Sequence, residues 1–258
     1  MSESQKHKTL QNLSMILHLF DNLQIEEISL MEISKALKMT PSTVSRMIET
    51  LKNEGFFEKN LMTGKYRLGI RFFELGVVYA FNFPLRKIIR PHIEQMAKEL
   101  NLTASWAILK NSKVIVIDRV QNLSIDSFTY ALRLNLPIHS SSIGKVLLAY
   151  LPEEEQDRIL QSVKITKFTD ATVVDPKLIK EGLKIIREMG YATDRGETYK
   201  GINCISAPIR DGTGDIIAAI NLIDENSPNS PERIFQFEGY LKEKALFISR
   251  QLGYRLYE

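Results

Sequence analysis

Two closely spaced helix starts, followed by a predicted hairpin, constrain the fold of this chain more than any other feature of its sequence. Ser29 and Glu32 have the spacing of a capping box, in which each side chain accepts a hydrogen bond from an orphan backbone amide. Leu30, Ile33 and Leu37 then fall on one face of the following helix. The pattern predicts a short amphipathic helix that ends in a turn.

A second helix is predicted to follow directly. Lys38 and Met39 form the turn, Thr40 is a favourable N-cap, and Pro41 suits the first helical position. At 100° per residue the helix over residues 41–53 divides into two faces. The apolar face carries Val44, Met47, Ile48 and Leu51, and the polar face carries Ser42, Ser45, Arg46, Glu49 and Asn53. A polar face near a helix N-terminus is typical of a helix that reads base edges in the major groove.

A small hairpin completes this segment. Gly55 is predicted to end the second helix, and the segments Phe56–Lys59 and Tyr66–Leu68 are predicted to pair around the turn Asn60–Gly64. Between residues 38 and 71, seven Lys and Arg oppose three Glu, a net charge of +4 against +3 for the whole chain. The order of elements and the charge predict a winged helix-turn-helix that binds double-stranded DNA. The alternative is a small helical domain that contacts protein through the same face.

The residues expected to contact DNA lie on the second helix and on the hairpin. The helix residues would meet base edges, and the hairpin cations would lie along phosphates. The predicted set is Thr40, Ser42, Thr43, Ser45, Arg46, Lys52, Lys59, Lys65 and Arg67.

Length and composition bound the rest of the chain. Its 258 residues are enough for two domains, and a hydrophobic content of 44% is ordinary for a globular protein. The single cysteine excludes an internal disulfide framework and fits a reducing cytosol. No apolar run is long enough to cross a bilayer, and the N-terminus does not resemble a signal peptide. We therefore expect a cytoplasmic protein without a membrane partner.

Helices are also predicted on both sides of the DNA-binding segment. A helix near residues 5–23 opens the first domain, which is expected to cover residues 1–69. Residues 70–84 form an apolar helix with Ile70, Phe73, Val77 and Phe81 on one side. A connecting helix with so apolar a face is better explained as a dimer contact than as a free spacer.

Residues 85–258 are predicted to form a separate α+β domain. Two hairpins are indicated, one turning at residues 110–113 and one at residues 211–214, and residues 124–132 are a candidate further strand. Helices are predicted at 85–100, 143–150, 152–161, 176–189 and 231–253. Antiparallel strand pairs with helices between them favour an antiparallel sheet covered by helices.

Three ordered motifs make the chain resemble a known family. The motifs are STVSRMIETLKNEGFFEKNLMTGKYRLG, LPIHSSSIGKVLLAYLP and GYATDRGETYKGINCISAPIRDGTGDIIAAINL. Together they resemble the isocitrate-lyase-regulator (IclR) family of bacterial transcription factors. The resemblance implies an N-terminal winged helix-turn-helix, a linker helix used in dimerisation, and a C-terminal GAF-like effector-binding domain. It also implies a dimer or tetramer that represses transcription until a small metabolite binds.

The resemblance also implies an effector pocket in the C-terminal domain. Its residues would be Ile125, Ser141, Ser142, Ile143, Asp194, Ile202, Cys204, Asn221 and Ile223. Independently, serines directly before a helix place free amides and a positive dipole end where an anion is favoured. A carboxylate effector, such as an organic acid, fits that chemistry. The alternative is that Ser141 and Ser142 only cap the helix.

Two other classes of function have weaker support. A metal sensor could use Cys204, Asp194 and His139, although no closely spaced Cys or His pair accompanies them. An enzyme would need a nucleotide loop or a nucleophile. The segment before Gly144 and Lys145 lacks the first glycine of a P-loop, and no nucleophile elbow surrounds the serines. We therefore expect neither a cofactor nor catalysis.

Overall fold

The computed structural model describes residues 3–20, 25–121, 135–225 and 231–255. The chain divides into two compact units, Met1–Asn82 and Phe83–Glu258. The predicted strand over residues 124–132 lies outside the described residues.

The first unit is a winged helix-turn-helix. Its elements are α1 (Glu3–His18), α2 (Leu30–Leu37), α3 (Pro41–Asn53), β1 (Phe57–Lys59), β2 (Tyr66–Leu68) and α4 (Ile70–Asn82). Buried apolar side chains from the first three helices and the hairpin form one core, which includes Ile16, Ile33, Val44, Ile48 and Phe57. The helices α2 and α3 thus contribute their predicted apolar faces to the core, and this packing holds the polar face of α3 outward.

The helix starts of this unit follow the sequence with one correction. The capping box forms, because the Ser29 amide donates to Glu32 Oε2 at 2.8 Å and the Glu32 amide donates to Ser29 Oγ at 3.2 Å. Thr40 occupies the N-cap of α3, but its side chain makes no capping hydrogen bond. Its hydroxyl lies instead 2.9 Å from that of Thr43 and 3.2 Å from that of Ser42. The helix α1 ends at His18, earlier than predicted, where the chain tightens into a turn.

The second unit is an α+β domain, as predicted. Its helices are α5 (Pro84–Leu100), α6 (Ser142–Ala149), α7 (Glu153–Ser162), α8 (Pro176–Met189) and α9 (Glu238–Gln251). Its strands are β3 (Thr103–Lys110), β4 (Lys113–Val120), β5 (Asn135–Leu136), β6 (Ala192–Arg195), β7 (Asn203–Arg210) and β8 (Ile216–Asp224). The strands form one antiparallel sheet in the order β5-β4-β3-β8-β7-β6.

Helices cover both faces of this sheet. One core joins the sheet to α5 and α9, and it contains Trp106, Ile220 and Ile248. The other joins the sheet to α6, α7 and α8, and it contains Ile143 and Leu183. Because side chains alternate along each strand, the central strands must be largely apolar on both faces, and a cluster of buried polar residues on one face is therefore informative.

Two sequence predictions for this unit were incomplete. The last helix was predicted to run from residue 231 to 253, but Pro231–Phe237 is a 3-10 helix and the α-helix begins at Glu238. The two-residue strand β5 was not predicted, and neither was the strand β6. It is only four residues long, and its segment ATDR lacks the β-branched enrichment that identifies a strand.

Candidate DNA-binding surface and effector site

The polar face of α3 is presented to solvent by the packing of its opposite face. Val44 and Ile48 are fully buried in the core of the first unit. Ser42 and Arg46 are exposed, and Ser45 is half-buried between them. A helix held in this way offers short hydroxyls and one guanidinium to a groove, and these are groups that form hydrogen bonds with base edges.

Two of the cations expected to contact DNA already bind carboxylates of this chain. Lys52 Nζ lies 2.6 Å from Glu49 Oε1, and this hydrogen bond raises the pKa of Lys52. Arg67 donates from Nε and Nη2 to Glu58 Oε2, at 3.0 and 2.9 Å. DNA would therefore have to compete with Glu49 and Glu58 for these two cations. Lys59 is exposed, with its ammonium 5.7 Å from the ring centroid of Tyr66.

The wing is the hairpin of β1 and β2 with the turn between them, residues 57–68. It is held in place by Glu27, a residue that the sequence analysis did not identify. Glu27 accepts a hydrogen bond from Asn60 Nδ2 at 2.5 Å and another from Thr63 Oγ1 at 2.8 Å. These bonds lower the pKa of Glu27, so that its carboxylate remains charged at neutral pH. Beside it, Ile28 pairs with Tyr66 as an isolated β-bridge. No local pattern connects Glu27 with a turn more than thirty residues further along the chain.

The two serines at the start of α6 have separate roles. Ser141 is the N-cap: its hydroxyl accepts from the Gly144 amide at 3.2 Å and donates to the Pro137 carbonyl at 2.6 Å. The capping interpretation therefore holds for Ser141. Ser142 is different, since its hydroxyl lies 2.7 Å from that of Ser206 on β7. This contact ties the start of α6 to the sheet below it.

A row of buried polar residues crosses the sheet beneath the start of α6. Ser105 on β3 is directly opposite Asn221 on β8, which in turn is opposite Ser206 on β7. Residues paired in this way point to the same face of a sheet. The Ser105 hydroxyl donates to the Asn221 side-chain carbonyl, and all three residues are buried. Sequence reasoning found Asn221 but missed both serines.

A second row lies beside the first on the same face. Ile223 on β8 pairs with Cys204 on β7, which pairs with Asp194 on β6. Burial raises the pKa of the Cys204 thiol well above its ordinary value, and the nearby Asp194 charge raises it further. The thiol is therefore neutral at physiological pH, which makes it a weak hydrogen-bonding group rather than a nucleophile.

Asp194 is a carboxylate held in an unfavourable environment. Only 3% of the residue is exposed, and burial raises the pKa of Asp194 to about 6, although a Thr198 hydrogen bond and the nearby Lys145 charge oppose the shift. Its Oδ1 accepts from the Glu197 amide at 2.7 Å and the Thr198 amide at 3.3 Å. The group can accept hydrogen bonds when charged and can donate one when protonated.

The other residues expected at the site have different surroundings. Ile143 is fully buried in the core between the sheet and the helices α6 to α8, and Ile202 is half-buried with its amide donating to the Tyr199 carbonyl. Ile125 lies outside the described residues. His139 is buried, its Nε2 is 3.0 Å from the Thr166 carbonyl oxygen, and burial lowers its pKa.

The ligand set proposed for a metal does not come together. Asp194 and Cys204 are neighbours, but within the described ranges no three His, Cys, Asp or Glu side chains are grouped so that they could hold a metal ion. In the same part of the chain, no helix has both the length and the apolar character of a membrane span.

Comparison with known proteins agrees with this arrangement. The model of the IclR helix-turn-helix domain matches residues 9–60, and that of the bacterial transcriptional regulator IclR C-terminal domain matches residues 77–250. The chain belongs to the IclR family of transcriptional regulators. In this IclR-family regulator the helix-turn-helix is therefore the DNA-binding domain, and the C-terminal unit is the effector-binding domain.

Individual IclR relatives match along most of their length. The regulator XynR of Escherichia coli K12 is 30% identical over 240 residues, which cover 93% of this chain and 94% of the relative. The repressor AllR of the same strain is 28% identical over 225 residues, covering 87% and 83%. An IclR homologue from Microbacterium hydrocarbonoxydans, solved with 4-hydroxybenzoate, matches with a TM-score of 0.75 and 25% identity, covering 95% of this chain and 98% of that one.

Proposed function

We propose that this regulator is a repressor that binds a palindromic operator as a dimer or a dimer of dimers and is released by a small organic acid. The observation that carries the DNA-binding part is the outward polar face of α3, which the burial of Val44 and Ile48 fixes in place. Two copies of α3 would enter successive major grooves about one helical turn apart. The similarity to the repressor AllR supports repression rather than activation.

In this proposal the contacts to DNA divide into two groups. Base edges are read by residues of α3, and phosphates are held by the cations at its end and on the wing. The α3 group comprises Thr40, Ser42, Thr43, Ser45 and Arg46, and the phosphate group comprises Lys52, Lys59, Lys65 and Arg67. Lys52 binds Glu49, and Arg67 binds Glu58. The two lysines of the wing, Lys59 and Lys65, therefore carry most of the attraction to phosphates.

The helix α4 is the proposed dimer contact. Its first turns are fixed to the wing, because the Phe72 ring packs edge-on against Phe56 at 5.3 Å and Phe57 at 6.4 Å. Ile70 and Phe73 nevertheless stay more than 60% exposed, and Val77, on the same side of the helix, is 37% exposed. An apolar patch of this kind on an ordered helix is characteristic of a surface that another protein covers.

The effector is proposed to bind between the start of α6 and the polar rows of the sheet. Helix N-terminal amides favour an anion, and the Ser142 hydroxyl lies at the same helix start. Asn221 and Asp194 offer hydrogen-bonding groups on the facing sheet. Ile125, Ser141, Ile143, Ile202, Cys204 and Ile223 complete the proposed surroundings. The solved homologue with 4-hydroxybenzoate, an aromatic acid, supports a carboxylate as the class of ligand.

The release of DNA would follow from a difference in effector affinity between two arrangements of the dimer. An effector that binds the non-DNA-binding arrangement better by about 1–3 kcal/mol changes operator affinity by a factor of about 5–150. The proposal therefore requires two observable quantities, specific DNA binding and its loss on addition of a carboxylate.

Fluorescence anisotropy tests both quantities with the full chain. DNA from upstream of its own and neighbouring genes is compared with a scrambled duplex over a salt series. Arg46→Ala is expected to weaken specific binding by about 1–3 kcal/mol and to leave scrambled DNA nearly unaffected. Arg158→Ala, an exposed substitution on α7, is the control. Equal losses on both duplexes would reduce Arg46 to a phosphate contact.

The same assay tests the effector. Carboxylates, with 4-hydroxybenzoate first, are compared with their amides at fixed operator concentration. We expect the acids to release DNA and the amides not to. Asn221→Ala should abolish release without changing operator affinity, whereas Ser162→Ala, an exposed serine, should change neither. Release by the amides as well as the acids would contradict the carboxylate proposal.

A further inference from the structure

The tip of the wing presents two large apolar side chains to solvent. Leu61 is 93% exposed and Met62 is 94% exposed, and no other large apolar side chain in the described part of the chain is as open. Exposed apolar residues are common on protein surfaces, so exposure alone indicates little. What distinguishes this pair is the structure that holds it.

The wing tip is ordered by its own hydrogen bonds. Asn60 Oδ1 accepts from the Met62 amide at 2.9 Å and from the Thr63 amide at 3.3 Å, and the Gly64 amide donates to the Asn60 carbonyl at 2.8 Å. Gly64 supplies the positive φ of 69° that the turn needs. Together with the two hydrogen bonds to Glu27, these contacts fix the tip at both of its ends.

A braced tip cannot fold Leu61 and Met62 back onto the core. The same bonds therefore prevent the apolar pair from being buried within its own chain, and they remove much of the entropy cost of placing it against a partner. The pair is kept in position to be covered on binding.

The charges around the pair indicate what covers it. Lys59 and Lys65 lie on either side of the tip, and the segment from residue 59 to residue 68 contains no Asp or Glu. The carboxylate of Glu27 is engaged by the side chains of Asn60 and Thr63. An apolar point between two cations complements the minor groove, where phosphates line both walls and the base edges lie between them.

We propose that Leu61 and Met62 enter the minor groove next to the site read by α3 and partly unstack one base step as an apolar wedge. The proposal rests on the DNA-binding function above and adds a site to it. Wedges of Leu or Met in other proteins kink DNA by about 20–90°. Because pyrimidine–purine steps unstack most easily, the wing would also prefer such a step at a position that α3 does not touch.

The experiment uses a duplex that the full-length protein enriches from a random 40-base-pair library. The base analogue 2-aminopurine is placed in turn at each step flanking the enriched half-sites, since its fluorescence rises when a base is unstacked. Bending is measured on the same site by circular permutation. The variant is the double substitution Leu61→Ser with Met62→Ser, and the control is Met31→Ser, an exposed methionine on α2.

With wild-type protein and with the control, we expect increased fluorescence at one step in each half-site and a measurable bend. The double variant should lose both signals and bind the enriched duplex roughly tenfold more weakly, a loss of about 1.4 kcal/mol. Its urea unfolding should match that of the wild type, because neither side chain packs in the core.

The other outcomes separate the two proposals. Tight binding with neither fluorescence change nor bend, and with equal affinity for the double variant, would overturn the wedge and leave the DNA-binding function intact. Reduced self-association of the double variant, with unchanged DNA signals, would assign the tip to a protein contact and also overturn the wedge. Failure to enrich any duplex would overturn the DNA-binding function itself, and the wedge with it.

Discussion

Replacing Asp194 by asparagine should stabilise the effector-binding unit, and by an amount that depends on pH. The side chain is buried on β6, and burial raises its pKa from 3.8 to about 6. In the folded state the charged form is therefore disfavoured. An asparagine at this position would remove the charge and keep an oxygen that can accept from the Glu197 and Thr198 amides.

The size of the effect follows from the shift in the pKa of Asp194. A shift of about 2 units corresponds to about 3 kcal/mol between the two protonation states. Below the pKa that Asp194 has in the unfolded chain, the group is protonated in both states and its burial does not lower the free energy of unfolding. As pH rises from about 4 to about 6, the unfolded chain loses its proton first, so the folded state becomes progressively less stable. The full destabilisation is present at pH values above the pKa that Asp194 has in the folded state.

The measurement is urea unfolding of the full chain followed by tryptophan fluorescence. Trp106 is the only tryptophan and is buried between the sheet and α5, so its signal reports the second unit alone. The free energy of unfolding of Asp194→Asn should exceed that of the wild type by about 3 kcal/mol at pH ~8 and by about 1 kcal/mol at pH ~4.5. Asp170→Asn, the same substitution at a fully exposed aspartate, is the control.

The difference between variant and wild type removes the titration of all other groups that the substitution does not touch. A gain that is the same at both pH values would show that burial does not raise the pKa of Asp194. A loss at the higher pH would show that the charged carboxylate is stabilised by its contacts with Glu197, Thr198 and Lys145 by more than burial costs.

Two further predictions test a close packing contact in the second unit and the proposed dimer contact on α4. A Cβ at Gly144 would lie 2.7 Å from Ile138 Cα, so Gly144→Ala should lower the free energy of unfolding in urea by about 1–3 kcal/mol. A Cβ at Gly182 meets nothing within 4 Å, so Gly182→Ala should raise the free energy of unfolding by up to about 1 kcal/mol. A gain at Gly144 would refute the close approach of α6 to the preceding loop. On α4, Phe73→Glu should lower the association constant of the dimer at least about 100-fold in sedimentation experiments. A two-fold interface would lose two buried phenylalanines, each of which stabilises the dimer by about 1.5–3 kcal/mol. Gln11→Glu adds the same charge on α1 as a control, and an unchanged constant for Phe73→Glu would exclude α4 as the contact.

Much of the local structure could be predicted because its causes lie close together in the sequence. The Ser29–Glu32 capping box, the Pro41 helix start, the wing strands and the helix from Pro176 to the Gly190 cap each depend on residues a few positions apart. Where the prediction failed, a weaker local signal was involved: β6 is short and poor in β-formers, and the Thr40 hydroxyl had neighbouring hydroxyls as alternative partners.

The candidate site was predicted only in part. Asn221, Asp194 and Cys204 came from the resemblance, and the structure places the last two side by side on neighbouring strands. Ser105 and Ser206 were missed, since a serine in an apolar strand has no distinguishing feature until the strands are aligned. Their common face with Asn221 is a property of register, and register is set by pairing between distant segments.

The sequence by itself determined which segments are helices and strands, with β5 and β6 the exceptions, which faces are apolar, and the family to which the chain belongs. These properties depend on periodicity, caps and motifs, all of which can be read along the chain. Tertiary structure alone decided that Glu27 braces the wing, that Ser142 meets Ser206, and that burial shifts the pKa of Asp194. The physical reason is that hydrogen bonds between distant segments and the dielectric environment of a buried group exist only after the chain has folded.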